Sequence, residues 1–272
     1  MKKGKALFPI WVIITVAASV FPFAWFLITS FKTEIEVTSI PPVFFPSFNL
    51  DFYESAIKEY KLLSFIKNSL IVASLTTAIT ILLSSLAGYA LSRLKTGHRK
   101  IIMGALISAS MFPQISLAGP LWKILYSLGW LNSYKGLVFP YVTLTLPLGI
   151  WILTAFFAEL PVEIEDAAKV DGCSHVQVLM RIIAPLAMPG IFTATILVFI
   201  YAWNEFFFAL LIMTEQNYRT LPVGIALFQG QYTMPWGEIA SASTIATIPL
   251  VIMVMIFQRR IVSGLSAGAV KG

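Results

Sequence analysis

The sequence predicts an all-α polytopic membrane protein with six transmembrane helices and a charged helical hairpin at the cytosolic membrane surface. Its 272 residues are 58% hydrophobic and only 12% charged, whereas soluble domains are about 25% charged. The apolar residues come in long charge-free blocks, which a soluble core does not need. The stretch 163–171 then places five charges in nine residues between two such blocks. That stretch must lie outside the hydrocarbon, because placing charged side chains inside the hydrocarbon is costly.

Each charge-free block can cross a ~30 Å hydrocarbon core, which takes roughly 20 helical residues. The blocks cover residues 6–31, 68–92, 101–122, 136–158, 182–204 and 239–258. Pro185 and Pro189 break the start of the fifth block, and its apolar character continues beyond Glu205. We therefore place the spans near 6–31, 68–92, 101–122, 136–158, 186–213 and 238–258, with a loop at 159–185. The sequence shows no repeat or soluble segment, so residues 1–272 are predicted to form one transmembrane domain.

The first apolar block and the short run 124–134 differ from ordinary membrane spans. The first block follows three lysines, as a signal peptide would, but its 26 residues are too long for a cleaved one, so we predict an uncleaved span. The run 124–134 is too short to cross the membrane. With Trp122, Tyr126 and Trp130 as interface anchors, it is predicted to be interfacial or re-entrant.

The distribution of basic residues predicts the orientation. With the amino terminus inside, twelve Lys and Arg residues fall on the cytosolic side and seven outside, which favours a multi-pass membrane protein with both termini cytosolic. The basic residues flank the apolar blocks instead of forming one face, which argues against nucleic acid as a partner. The single cysteine, Cys173, and the distant His98 and His175 argue against a metal site, and no cofactor is expected.

The charged segment is predicted to be a helix–turn–helix. Pro161 suits a first helical turn, and three acids follow it near the positive end of the helix dipole: Glu163, Glu165 and Asp166. Ala167 and Ala168 are small, so that another surface can approach closely. Gly172 predicts a helix stop with left-handed backbone.

The second helix of the segment has its own start signal. Ser174 and Gln177 have the spacing of a capping box. Four residues give this helix an apolar stripe: Val178, Leu179, Ile182 and Ile183. These features alone fit an ordinary surface hairpin equally well.

A resemblance favours a more specific interpretation. Asp166-Ala167-Ala168, Gly172, Ile182 and Pro185 resemble the EAA loop of ABC importer permeases. That pattern reads Glu-Ala-Ala, three residues, Gly, nine residues, Ile, one residue, Leu-Pro. This chain has Asp166 in place of the Glu and Ala184 in place of the Leu. Further resemblance to carbohydrate permeases of the maltose and trehalose type covers the rest of the chain, at 111–113, 128–132, 146–147, 202–205 and the tail 264–272.

The resemblance implies one permease subunit of an importer. Its partners would be a second permease subunit, two cytosolic ATPase subunits, an extracytoplasmic sugar-binding protein and the lipid bilayer. The EAA loop would be the helix that couples to the ATPases, through Glu165, Asp166, Ala167, Ala168, Asp171 and Gly172. The tail would reach between the ATPases with Gly268, Val270, Lys271 and Gly272. The chain has no G-x-x-x-x-G-K-[ST] phosphate loop, so we expect a non-catalytic subunit whose partners hydrolyse ATP.

Polar residues near the fifth span suggest a substrate pathway. Its candidates are Tyr201, Trp203 and Asn204, because sugars are recognised by amide and aromatic groups. Glu205 is expected near the outer boundary, as an interfacial carboxylate in contact with water. Four small residues in the second span predict close helix packing: Ser84, Ser85, Ala87 and Gly88. The resemblance places the binding-protein contact in the loop before the sixth span, at Gln229, Gly230 and Gln231.

The predicted function is uptake of a di- or oligosaccharide such as maltose or trehalose, with this chain forming half of the pathway. A permease for another polar solute, such as glycerol phosphate, would share nearly all of these motifs. A secondary transporter or channel would need coupling acids or a filter at mid-membrane, and the sequence shows none there. A membrane enzyme would need a catalytic cluster, and no suitable spacing is present.

Overall fold

The protein is built from helices. The computed structural model describes residues 3–94, 96–228 and 234–269, and no strand occurs within these ranges. In chain order the helices are α1 (Lys3–Ser30), α2 (Glu34–Thr38), α3 (Asp51–Lys58), α4 (Leu62–Ser92), α5 (Thr96–Ser110), α6 (Gln114–Ser127), α7 (Tyr134–Glu159), α8 (Val162–Val170), α9 (His175–Val178), α10 (Ala184–Leu186), α11 (Met188–Asn204), α12 (Phe207–Ile212), α13 (Leu221–Ala226) and α14 (Trp236–Ala269). A π-helical turn at Leu179–Ile183 joins α9 to α10, and a 3₁₀ turn at Gln216–Tyr218 precedes α13.

The membrane-spanning helices agree with the predicted number. Four helices of the described ranges are long and apolar enough to cross a membrane: Pro9–Ser30 of α1, α4, α7 and Trp236–Phe257 of α14. Two further pairs of helices are long and apolar enough to cross only when each pair is taken together. Gly97–Ser110 and Gln114–Ser127 meet with a bend of 82°, and His175–Leu186 and Met188–Asn204 with a bend of 84°. Six spans result if each bent pair crosses once.

The third span departs from the prediction of one helix over 101–122. The chain breaks between α5 and α6, where Pro113 takes an extended conformation with ψ 119°. Proline cannot continue the helix and disfavours helical backbone in the residue before it, which explains the bend. The helix α6 then continues to Ser127, so the run predicted to be interfacial is partly the end of a helix.

The other boundaries also move. α4 begins at Leu62 and has 31 residues, about 46 Å at 1.5 Å per residue, which exceeds the hydrocarbon core. The fifth span was predicted to run through 186–213. It begins at Met188 after a break at Ala187, ends at Asn204, and is followed by the separate α12. The sixth predicted span lies inside α14, whose 34 residues extend into the region predicted to be a tail.

The described chain divides into two compact units. The first comprises residues within 1–64 and 224–249. In it, α3 packs against the start of α14, where a side chain at Gly237 would collide with the ring of Phe52. Ser241 Oγ also donates a hydrogen bond to the Phe52 carbonyl at 3.1 Å.

The second unit comprises residues within 65–223 and 250–272. Here α4 packs closely on α7, which confirms the small-residue prediction for Ser84 and Gly88, whereas Ser85 and Ala87 are only half-buried. A Cβ on Gly88 would lie 3.1 Å from the Thr154 nitrogen, and one on Gly149 would collide with Ser84. Thr80 and Thr145 share a hydrogen bond of 2.9 Å across the same contact. This close approach brings the carboxyl end of α4 beside the end of α7, where the charged hairpin begins.

Candidate functional site

The hairpin, residues 159–185, begins at the end of α7 and holds the residues predicted to couple to an ATPase. Its first helix, α8, ends at Val170, and Gly172 two residues later has a left-handed backbone with φ +85°. The N–H of Gly172 donates to Lys169 O and that of Cys173 to Ala168 O, both at 3.0 Å. A Cβ on Gly172 would meet no heavy atom within 4 Å. The predicted left-handed stop is therefore confirmed, and backbone conformation, not crowding within the chain, favours glycine.

The second half of the hairpin starts as predicted. Ser174 N–H donates to Gln177 Oε1 at 2.8 Å, and Gln177 N–H donates to Ser174 Oγ at 3.4 Å, which completes the capping box. The apolar stripe is buried, with half-buried Ile182 at its edge. It joins one hydrophobic cluster with residues of α7, α8 and α11: Leu153, Phe157, Ala168, Val178, Leu179, Ile183, Ala187 and Ala194. The hairpin is thus packed against the spans on both sides of it.

The carboxylate of Glu165 lies inside this packing. Its side chain is only 2% exposed and forms an ion pair with Arg93. Arg93 Nε donates to Oε1 at 2.6 Å, and Nη2 donates to the same oxygen. Tyr89 OH donates to Oε2 at 2.7 Å. The expectation that Glu165 meets an ATPase surface is therefore corrected, because its carboxylate is occupied by groups of this chain.

Arg93 joins three helices at this point. It follows the end of α4, pairs with Glu165 of α8, and donates from Nη1 to the Phe157 carbonyl of α7 at 3.1 Å. The Tyr89 ring meets the Phe157 ring edge to face, with centroids 6.2 Å apart. Losing one partner of a buried ion pair typically costs ~3–5 kcal/mol. The pair therefore fixes α8 against the ends of α4 and α7.

The outward side of the hairpin is formed by other residues. Those of the predicted set that remain exposed are Asp166, Ala167, Asp171 and Gly172. Ala168 is 5% exposed and belongs to the hydrophobic cluster, so the expectation of a docking face through Ala168 is wrong. The most exposed large apolar side chains of the hairpin are Val170, at 88%, and Val176, at 63%. This combination of small and apolar residues suits contact with another protein.

The three candidates for the substrate pathway have different surroundings. Asn204 is exposed, and its Nδ2 donates to the carbonyl four residues earlier at 2.9 Å. Tyr201 is half-buried, and its hydroxyl accepts from Gln114 Nε2 at 2.8 Å. Trp203 is 2% exposed and stacks on Phe199, with centroids 5.8 Å apart. Trp203 therefore lacks the access that a solute contact needs in this structure, whereas Gln114 is a polar neighbour that sequence reasoning missed.

Glu205 differs from the expected water-exposed carboxylate. It is 9% exposed and accepts a hydrogen bond from Tyr141 OH. It also accepts from the backbone N–H groups of Phe208 at 2.9 Å and Ala209 at 3.1 Å. Glu205 thus satisfies donors at the start of α12 that would otherwise be unpaired.

Several predicted site residues lie outside the described residues. These are the binding-protein candidates Gln229, Gly230 and Gln231, and the tail residues Val270, Lys271 and Gly272. The backbone of Gly268 belongs to α14.

Comparison with known proteins identifies the family. The family model of the binding-protein-dependent transport system inner membrane component matches residues 80–267. The chain belongs to this family. The resemblance inferred from the hairpin motif is therefore confirmed, and the chain is a multi-pass membrane permease.

Two curated relatives match this permease over nearly its whole length. The trehalose/maltose transport system permease protein MalG of Thermococcus litoralis is 48% identical over 93% of this chain and 91% of its own. The sulfoquinovosyl glycerol transport system permease protein SmoH of Agrobacterium fabrum is 43% identical over 99% of this chain and 95% of its own. A crystal structure of a bacterial ABC transporter that imports the acidic polysaccharide alginate contains a chain with the same fold. Its TM-score is 0.80 at 19% identity, over 95% of this permease and 98% of that chain.

The pairing of Arg93 is the main feature of the permease hairpin that sequence reasoning missed. Arg93 directly follows an apolar span, where a basic residue is expected for orientation alone. Glu165 lies in a run of acidic residues, and the sequence does not indicate which of them is buried and which are exposed. Only the packing of α8 against α4 distinguishes the buried acid from exposed Glu163 and Asp166.

Proposed function

We propose that this permease forms half of the translocation pathway of an ATP-driven importer for a di- or oligosaccharide such as trehalose or maltose. The observation that carries the proposal is the near full-length similarity to the trehalose/maltose permease. The hairpin supports it, because a rigidly packed element with an exposed small and apolar face can receive force from a soluble subunit. The two compact units belong to one transmembrane domain in this proposal.

The proposed complex has four kinds of subunit. Two cytosolic ATPases bind and hydrolyse ATP, and a second permease completes the pathway. An extracytoplasmic binding protein delivers the sugar and meets this chain around Gln229, Gly230 and Gln231. The tail residues Gly268, Val270, Lys271 and Gly272 reach between the ATPases. This chain is non-catalytic. Its surface for the ATPase consists of Asp166, Ala167, Val170, Asp171 and Gly172. The buried Glu165 and Ala168 hold that surface in position from inside the hairpin.

A second solute class has specific support. The relative named for sulfoquinovosyl glycerol transport is only slightly less similar than the one named for trehalose and maltose. Both kinds of solute present hydroxyl groups, for which Tyr201, Asn204 and Gln114 offer hydrogen-bonding partners. The sugar is therefore proposed first and a glycosylated or phosphorylated glycerol second.

Reconstitution tests the function directly. The permease is purified with its partner subunits, placed in proteoliposomes with ATP inside, and supplied externally with the binding protein and labelled trehalose or maltose. We expect uptake that requires both ATP and the binding protein. If glycerol phosphate or sulfoquinovosyl glycerol were taken up, and neither trehalose nor maltose were, the sugar assignment would be contradicted. Uptake without any ATPase subunit would contradict an ATP-driven importer.

The orientation of the chain gives a second prediction. We expect Glu59→Cys to react with a membrane-impermeant maleimide from outside and Asp171→Cys only from the cytosolic side. Both positions are exposed. The background carries Cys173→Ala, because Cys173 is the sole cysteine. Labelling of both positions from one side would overturn the topology with both termini cytosolic.

A further inference from the structure

We propose that the groove between α1 and the first turns of α14 binds one anionic phospholipid, with its phosphate at Lys32 and an acyl chain along α1. With the orientation proposed above, this site lies in the outer leaflet. The binding site itself does not depend on that orientation. Two separate features of the first compact unit support this site: a polar pocket at one end and an apolar groove below it.

The polar pocket contains a buried cation. Lys32 is 3% exposed, and its Nζ lies 4.2 Å from the centroid of the Trp25 ring. Among the described residues no carboxylate lies within the 4.0 Å of an ion pair with it. The nearby Glu36 accepts instead from the Thr33 N–H at 2.9 Å and from Ser47. Burial lowers the pKa of Lys32, and the Glu36 charge opposes this by raising it.

A hydroxyl group shares the pocket. Thr29 Oγ1 is buried and has no hydrogen-bond partner. It lines a cavity of about 260 Å³ together with Trp25, Lys32 and Trp236. A buried hydroxyl without a hydrogen-bond partner is costly, and the Lys32 ammonium has the Trp25 ring but no carboxylate within ion-pair distance among the described residues. An anionic oxygen between them would accept from both, which is the chemistry of a phosphate group.

The apolar groove continues from the pocket along the same two helices. It measures about 480 Å³ and shares Phe26 with the pocket. Its other lining residues run from Leu27 to Val20 on α1 and from Ser243 to Thr247 on α14. The pocket and groove therefore present a polar end and an apolar length, as a phospholipid does.

The length of the groove along α1 matches the thickness of one membrane leaflet. From Val20 to Ser30, where α1 ends, the helix rises about 15 Å, and Lys32 follows two residues later. Half of a hydrocarbon core is also about 15 Å. Lys32 lies just beyond the apolar span Pro9–Ser30, and Trp236 begins the span Trp236–Phe257. Lysine and tryptophan are typical of the membrane interface, where lipid phosphates lie. A free phosphate would fill the pocket but not the groove, so we commit to the lipid.

Native mass spectrometry of the purified importer complex tests the proposal, with phosphatidylglycerol titrated into the detergent solution. We expect wild type to retain one tightly bound phosphatidylglycerol, and Lys32→Ala to weaken that site by about tenfold or more, since a charge-assisted contact is lost. Lys32→Arg should retain it. Ala24→Phe should weaken it from the apolar side, because Ala24 lines the groove. Inorganic phosphate should not displace the lipid.

The matched control is Lys58→Ala, whose exposed ammonium pairs with Glu54 in the same unit; its lipid retention should equal wild type. Equal retention by Lys32→Ala and wild type would overturn the proposal. Displacement by inorganic phosphate, or a crosslink from Ala24→Cys to the second permease with no lipid retained, would also overturn it. A complex that takes up sugar but shows no Lys32-dependent lipid binding contradicts this site alone and leaves the proposed function standing.

Discussion

Replacing Glu165 by alanine is expected to remove both the stability of the hairpin and its coupling to ATP hydrolysis. The change leaves the Arg93 guanidinium against the Phe157 carbonyl without its carboxylate, and leaves the Tyr89 hydroxyl without its acceptor. Removing one member of a buried ion pair costs ~3–5 kcal/mol. Sugar-stimulated ATP hydrolysis by the reconstituted complex and thermal stability of the purified permease complex should both fall.

The reciprocal change separates charge from contact. Arg93→Ala leaves a carboxylate that is 2% exposed with Tyr89 as its remaining side-chain donor, so it should be at least as harmful. Arg93→Lys keeps the charge but loses the contact to Phe157, and should be intermediate. The double variant Arg93→Met with Glu165→Leu removes both charges and should recover much of the stability lost by either single change.

A control on the same helix decides the interpretation. Lys169→Ala breaks an exposed pair with Asp166 at 3.2 Å, which is worth only ~0–1 kcal/mol, so stability and coupling should remain close to wild type. If Glu165→Ala matched Lys169→Ala in both measurements, the buried pair would not be what holds α8 in place.

Local signals in the sequence were sufficient to predict the hairpin, its caps and the approximate positions of the spans, but not the breaks within them. The stop at Gly172 and the capping box at Ser174 depend on a few adjacent residues, and the structure has both. Charge-free blocks likewise located the spans, because hydrocarbon imposes the same requirement on every crossing segment. The bend at Pro113 was also marked by a proline, but a long apolar block concealed it.

Side-chain placement within the site depended on contacts between distant segments. Ala167 and Ala168 are identical in sequence, yet only Ala168 enters the hydrophobic cluster. Trp203 and Asn204 are neighbours on α11, and the helical turn between them buries one and exposes the other. The direction in which α8 and α11 are rotated is set by the surfaces of α4 and α7, so no local pattern could reveal it.

Gly172→Asp is expected to leave the permease folded in the membrane while abolishing sugar-stimulated ATP hydrolysis or releasing the ATPase subunits. A Cβ on this glycine meets nothing within 4 Å, so the chain itself has room for the side chain. The left-handed backbone at φ +85° adds only ~1–2 kcal/mol of strain. The larger effect is expected on the exposed face, where Asp171 already places one carboxylate and a second would enter the proposed ATPase contact without a partner. Co-purification of the ATPase subunits and ATP hydrolysis with and without sugar measure the two outcomes.

Gly129→Asp provides the matched control, because Gly129 also has a positive φ, +65°, and also has nothing within 4 Å of an added Cβ. It lies between α6 and α7, away from the hairpin in sequence and on the outer side in the proposed topology. Backbone strain is therefore nearly equal in the two variants, and only Gly172→Asp places its charge on the proposed docking face. Equal loss of coupling in both would assign the effect to strain. Normal coupling in Gly172→Asp would mean that the hairpin carries no ATPase contact at this turn, because an added carboxylate without a partner in a protein–protein contact weakens binding.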